Sequence, residues 1–257
     1  MSDDIKKRIN AVLVAGGKYH DIDHPRLEIL RLLAEDERIR VRVFEDYSNI
    51  EAITAADFLI TYTCDVIPSL PQQEALRAFV EGGGRWYALH GTNSILRFLA
   101  DGRVDSPRWA PHFMETLGSM FIAHPPIAPY RVTVADPDHP LVQGVEPFEA
   151  TDEHYLVETY GELHVLLETE FGGEATGFVE DQWPQAKHPV FYLKPTGQGA
   201  VLYLTLGHCR GHYDMIDVKL DYYPVVERGA WDLPVFHDLL RRGIAWAKSP
   251  ALEGVAP

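Results

Sequence analysis

The chain has 257 residues, 46% hydrophobic and 24% charged, enough apolar material for a substantial core. Its net charge of -15 repels phosphate backbones and acidic lipid, which argues against nucleic acid and membranes as partners. Two cysteines, Cys64 and Cys209, are too few for a disulfide framework. With no apolar leader and no apolar run of about 18 residues, a soluble, cytoplasmic protein with reduced thiols is expected.

The run INAVLVA, Ile9 to Ala15, is nearly continuous in apolar residues and stops at Gly16-Gly17, the pattern of a strand buried on both faces. HPRLEILRLLAEDE then sets Leu27, Leu30, Leu33 and Ala34 at helical spacing behind Pro25. IRVRVFED and ADFLITYT read as strands, PQQEALRAFVEGGG as a helix opened by Pro71 and stopped by glycines, and RWYALH as the next strand. This alternation predicts a doubly wound, mainly parallel α/β sheet. Prolines interrupt residues 101–150, in PRWAPHF, HPPIAP and DPDHP, so short pieces wrap the sheet there, YRVTVAD being one strand. HVLLETE and HPVFYLKPTGQGAVLYLTLG add strands, the second a hairpin turning at Thr196 to Gly199. LPVFHDLLRRGIAWAKS closes the chain as an amphipathic helix bearing Phe236, Leu239, Leu240, Ile244 and Trp246. No repeat or linker divides residues 1–257, so one domain is expected, its core over about 9–248. The apolar residues of PRWAPHFM suit core packing or, equally, contact between copies in a homo-oligomer.

Ligands of open α/β sheets gather beyond the carboxyl ends of the strands, so polar residues that directly follow apolar runs are the candidates. GGKYHDIDHP lacks both the Walker and the dinucleotide glycine spacing. Its His20 and His24, beside Asp21 and Asp23, suit metal binding or acid/base work, while either carboxylate also suits a capped loop. His90 ends the strand RWYAL, followed by Gly91, Thr92, Asn93 and Ser94. Asp152, Glu153 and His154 are consecutive and cannot all face one way. An extended chain pairs Glu153 with Tyr155 on one face and Asp152 with His154 on the other. A further strand delivers Gly207 and His208, with Cys209 and His212 behind them. His208 and Cys209 are neighbours, a poor geometry for nucleophile and base, and no C-x-x-C pair suggests structural zinc. His124 and His188 each precede a proline and are assigned to a cleft rim; His112, His139, His164 and His237 read as surface or packing residues.

The ordered set YHDIDH, YALHG after a glycine run, GSMFIAHP, DEHY and HPVFYLKPTGQGAVLYLTLGH resembles the ThuA-like (trehalose-utilisation) family over Ile9 to Lys248. The resemblance implies a flavodoxin-like fold similar to class I glutamine amidotransferases, with extra β-rich insertions. Where an amidotransferase carries its cysteine nucleophile this chain carries His90, and His208 resembles the dyad histidine, so covalent glutamine chemistry is not expected. The family's link to disaccharides and keto-sugars implies an enzyme acting on a (3-keto) glycoside with a divalent metal, zinc, manganese, iron or nickel. On that reading His90, His208, His24 and Glu153 are metal ligands, and Glu153, Asp152, His20 and Tyr155 carry catalysis. Tyr19, Asn93, His124, His188 and Tyr213 bind the sugar. Trp86 and Trp183 are further stacking candidates, Trp86 being better placed for the core. The alternative is a non-catalytic sugar-binding or regulatory module. A thiol hydrolase built on Cys64 or Cys209 lacks a cysteine at the elbow. GHCRGHYDMIDVKLDYYP departs from the family pattern by being longer and more polar, which leaves the sugar open.

Overall fold

A computed structural model describes residues 7–249; the readings made on residues 1–6 and 250–257 lie outside the described residues. The first third alternates as the periodicity predicts: β1 (Ile9–Gly17), α1 (Asp23–Leu33), β2 (Ile39–Phe44), α2 (Ile50–Thr54), β3 (Phe58–Cys64), α3 (Leu70–Glu81) and β4 (Arg85–Leu89). A capping box starts α3, the Ser69 N–H donating to Gln72 Oε1 at 2.8 Å. The proline-rich middle yields short pieces: β5 (Arg97–Phe98), β6 (Val104–Asp105), α4 (Pro111–Leu117), β7 (Ser119–Ala123), β8 (Ala128–Val134), β9 (Phe148–Asp152) and β10 (Leu156–Thr159). Then come the long hairpin of β11 (His164–Glu174) and β12 (Gln182–Thr196), β13 (Gly199–Leu204), and α5 (Pro234–Lys248).

The main sheet runs β2-β1-β3-β4-β13-β12-β11-β8-β9. Its first five strands are parallel, and the rest are antiparallel additions. Side chains alternate between two cores, as a pleated strand buried on both faces requires. Leu13, Ile60, Tyr87 and Leu202 face α1 and α5, while Val12, Leu59, Trp86 and Val201 face α2, α3 and α4. Residues Phe236, Leu239, Leu240, Ile244 and Trp246 of α5 are buried as expected. The face of α1 differs from expectation. Pro25, Ile29, Leu32 and Leu33 are buried, whereas Leu27 is 48% exposed and Ala34 lies past the last turn, exposed. Three buried positions at i, i+3 and i+4 from Ile29 outweigh the run begun at Leu27. In PRWAPHFM, Ala110, Phe113 and Met114 pack into the core, and Trp109 is half exposed. Among the described residues no helix is long and apolar enough to cross a membrane.

Candidate functional site

The carboxyl ends of β1, β3 and β4 each deliver a non-glycine residue in the left-handed region: Tyr19 (φ 67°), Asp65 (φ 58°) and His90 (φ 43°). Such backbone costs about 1–3 kcal/mol per residue and marks sharp turns that thrust side chains out of the sheet. Gly17, at φ 113°, lets β1 pass so close to β3 that an added Cβ would overlap the Cys64 carbonyl, to which the Lys18 N–H donates at 3.0 Å. Gly207 also takes a left-handed φ, 125°, just before His208. The segment after β9 crosses this edge because the fully buried Asp152 carboxylate accepts from four backbone N–H groups, those of Glu153, Gly207, His208 and Ala230. Burial raises the Asp152 pKa to about 6 against the pull of His208 and these donors.

His20, His90, Glu153 and His208 converge there, buried, their ligand atoms all within 4.8 Å of one another. Each ring is oriented by its outer nitrogen. His90 Nδ1 donates to the Thr205 carbonyl at 2.9 Å, and His20 Nδ1 faces the Lys18 carbonyl at 3.3 Å. A carbonyl can only accept, so His90 Nε2 carries no proton and can accept from His20 Nε2 or bind a cation. These two Nε2 atoms stand 2.9 Å apart, with Glu153 Oε2 at 3.5 Å from His90 and 3.8 Å from His20. His208 gives Nε2–H to Glu227 Oε2 at 2.7 Å and turns Nδ1 toward Glu153 Oε1 at 3.0 Å. Arg210 closes the arrangement, donating from Nη1 to Glu227 at 2.9 Å, with Nη2 3.5 Å from Glu153 Oε1.

Desolvation, and then the neighbouring rings, lower His90 well below the usual histidine pKa; desolvation also lowers His20. Burial opposes charge on His208 too, but Glu153 and Glu227 outweigh it and push its pKa up to about 9. Glu153 is held well below the carboxylate range, since the protonated His208 beside it, above all, outweighs its desolvation. With His208 protonated, its charge and that of Arg210 balance the Glu153 and Glu227 carboxylates, and a cation bound at His208 Nδ1 would displace that proton. Three imidazoles and a carboxylate, each imidazole backed by a carbonyl or carboxylate, form a donor set that fits a divalent cation.

Beside this cluster lies a cavity of about 270 Å³, whose polar lining includes His20, Ser94, His124, Glu153, Tyr155 and Arg210. The Tyr155 hydroxyl lies 3.4 Å from His90 Nε2 and 3.3 Å from Ser94 Oγ. His124 gives Nδ1–H to the Pro125 carbonyl at 2.7 Å, which leaves Nε2 bare, 3.5 Å from Glu153 Oε1.

The family model described as trehalose utilisation, ThuA, matches residues 11–220. The chain belongs to the ThuA family. A protein described as ThuA-like from Bacteroides uniformis superimposes with a TM-score of 0.64 at 18% identity, covering 96% of this chain and 93% of its own. One from Parabacteroides merdae gives 0.64 at 17% identity, covering 98% and 94%. A β-galactosidase from Rahnella sp. R3 aligns over 94% of this chain and 31% of its own, with a TM-score of 0.56 at 14% identity. At these identities the likeness is one of fold, and that fold is the expected flavodoxin- and amidotransferase-like one. Among curated proteins, none matches this sequence.

The structure of this ThuA family member gathers some of the expected residues and disperses others. His90, His208, Glu153, His20, Tyr155, Tyr19 and His124 meet at the cavity or the cluster. His24 does not: its ring packs edge-on against Trp231 at 5.7 Å, and His20 stands in its place among the four. Helix α1 begins at Asp23, so His24 is turned away on its first turn. Asp152 is a backbone anchor behind His208, with no oxygen free for the cavity. Asn93 is fully buried, donating to Ser119 Oγ at 2.7 Å, outside the cavity lining. His188 sits in β12 beside Trp183 and His154, away from the cavity, and Tyr213 is 69% exposed among His212 and Tyr222. Trp86 is core, its indole N–H on Thr61 Oγ1; that of Trp183 goes to the Glu180 carbonyl. Burial raises the Cys64 thiol well above its usual pKa and Cys209 to about 12, which keeps both protonated. Glu227 and Arg210 are the residues that sequence reasoning missed. Neither follows an apolar strand directly, and their only signal is membership of the long polar segment after His208.

Proposed function

We propose that this chain is a cytoplasmic, carbohydrate-active enzyme that binds a divalent metal at His20, His90, Glu153 and His208 and moves a proton at the carbon beside the carbonyl of a keto-glycoside. The observation that carries the reading is the pair of imidazole nitrogens, His20 Nε2 and His90 Nε2, facing each other at 2.9 Å beside a buried carboxylate. A shared cation would satisfy both nitrogens and the carboxylate together. Zinc, manganese, iron and nickel all accept such donors. A bound cation supplies Lewis acidity toward a sugar oxygen. Family membership supports the carbohydrate, and two buried unpaired thiols support the reducing compartment.

The chain's own residues supply the proton chemistry. His124 presents a bare Nε2 to the cavity and takes the proton from carbon. Charge that develops on the carbonyl oxygen meets the Arg210 guanidinium and the Tyr155 hydroxyl, which burial keeps protonated by raising its pKa well above the usual value. Arg210 is held in place by Glu227 and by the Tyr19 carbonyl, 3.3 Å from its Nε. Metal-loaded protein in D2O should exchange the hydrogens beside the carbonyl of a 3-keto-glucoside, read by proton NMR, and His124→Gln should slow this about 100-fold or more. A panel of keto-glycosides with no enzyme-dependent exchange contradicts the reading.

A further inference from the structure

Part of the cavity lining is apolar. Beside the polar His20 and Glu153, 6% and 4% exposed, an apolar wall comes from other elements: Leu96 and Phe98 around β5, Val104 of β6, Phe121 of β7, Phe178 of the turn between β11 and β12, and Met215 of the loop after β13. Phe98 is 37% exposed and packs on Tyr19 at 4.9 Å. Phe178 meets Phe121 and His124 edge-on, at 5.8 and 4.9 Å. Backbone bonds tie β6 to the Phe178 turn, Val104 N–H to the Gly177 carbonyl at 2.8 Å and Val179 N–H to the Val104 carbonyl at 2.9 Å, so this wall is built rather than loose. Thr176 supplies its one side-chain hydroxyl, which faces Glu174 Oε1 at 3.4 Å.

Such a wall constrains the group that extends from the sugar. A second sugar ring against it would bury hydroxyls without partners, at about 1–3 kcal/mol each. An aryl or alkyl group would instead gain about 25 cal/mol for each Å² of apolar surface removed from water. The volume, about 270 Å³, lies just under the roughly 300–1,000 Å³ range of ligand pockets and leaves room for one ring and a modest substituent. We propose that the site, which rests on the sugar reading of the proposed function, selects monoglycosides with an apolar aglycone over disaccharides, Phe98 and Phe178 setting the preference.

Calorimetric titration of the metal-loaded protein with phenyl β-glucoside, methyl β-glucoside and trehalose tests this, since unoxidised glycosides bind without turnover on this reading. The phenyl glycoside is expected to bind tenfold or more tighter than either other sugar. In Phe98→Ala, and in Phe178→Leu, which keeps the wall filled, that ratio should fall below about threefold while methyl glucoside affinity holds. Trehalose binding as tightly as the phenyl glycoside overturns the inference and leaves the sugar reading standing. Binding of none of the three, with the protein folded and metal-loaded, overturns both.

Discussion

Removing the carboxylate behind His208 should weaken metal binding without removing any metal ligand. Glu227 Oε2 accepts His208 Nε2–H at 2.7 Å, which fixes the tautomer whose Nδ1 faces Glu153. The same carboxylate takes Arg210 Nη1 at 2.9 Å and the Tyr223 hydroxyl at 3.0 Å, so it is itself held in place. In Glu227→Ala the ring is free to rotate or change tautomer, and its negative backing is lost. Loss of such a backing carboxylate costs about 10–100-fold in metal affinity, or roughly 1.4–2.7 kcal/mol. Glu227→Gln retains an acceptor oxygen and should fall near the tenfold end. Competition against a chromogenic zinc chelator at pH 7.5 measures this, with circular dichroism to verify the fold. Affinity within twofold of wild type in Glu227→Ala would refute the placement of His208 among the ligands.

The same geometry has other consequences. Asp152→Ala strands four buried backbone donors and should cost about 3–5 kcal/mol in urea unfolding, where a loss under 1 kcal/mol contradicts the anchoring role. Gly17→Ala meets the Cys64 carbonyl at a left-handed φ and should cost about 3 kcal/mol by the same measurement, where an unchanged midpoint would show that β1 and β3 can separate freely. Because burial raises both thiol pKa values, Cys64 and Cys209 should stay unreactive toward a disulfide reagent at pH 8 until urea is added. Rapid native labelling of either would restore a thiol mechanism to consideration.

Strand ends were legible because continuous apolar runs announce buried parallel strands, and topology sends the residues just past them to one edge. That logic found His20, His90 and His208. Period-two alternation also divided ATDEHYLVE correctly: Glu153 and Tyr155 reach the cavity, while Asp152 goes to backbone and His154 stacks on Tyr130 at 4.3 Å. The choice between His20 and His24 was not legible, since it turns on a left-handed Tyr19 and a helix that begins at Asp23. Asp152 looked like an acid/base group because residue type alone does not reveal that backbone amides occupy its oxygens. Glu227 and Arg210 came from a loop without periodicity, and the apolar wall came partly from three short elements that the prolines had hidden, β5, β6 and β7, and partly from the β11–β12 turn and the loop after β13.

The most direct test of the central proposal is the metal content of the purified protein, by elemental mass spectrometry, beside His90→Ala and His208→Ala. Close to one divalent ion per chain in the wild type, lost in both folded variants, is the predicted result. A wild-type protein that retains no metal after exposure to zinc, manganese, iron or nickel would contradict it.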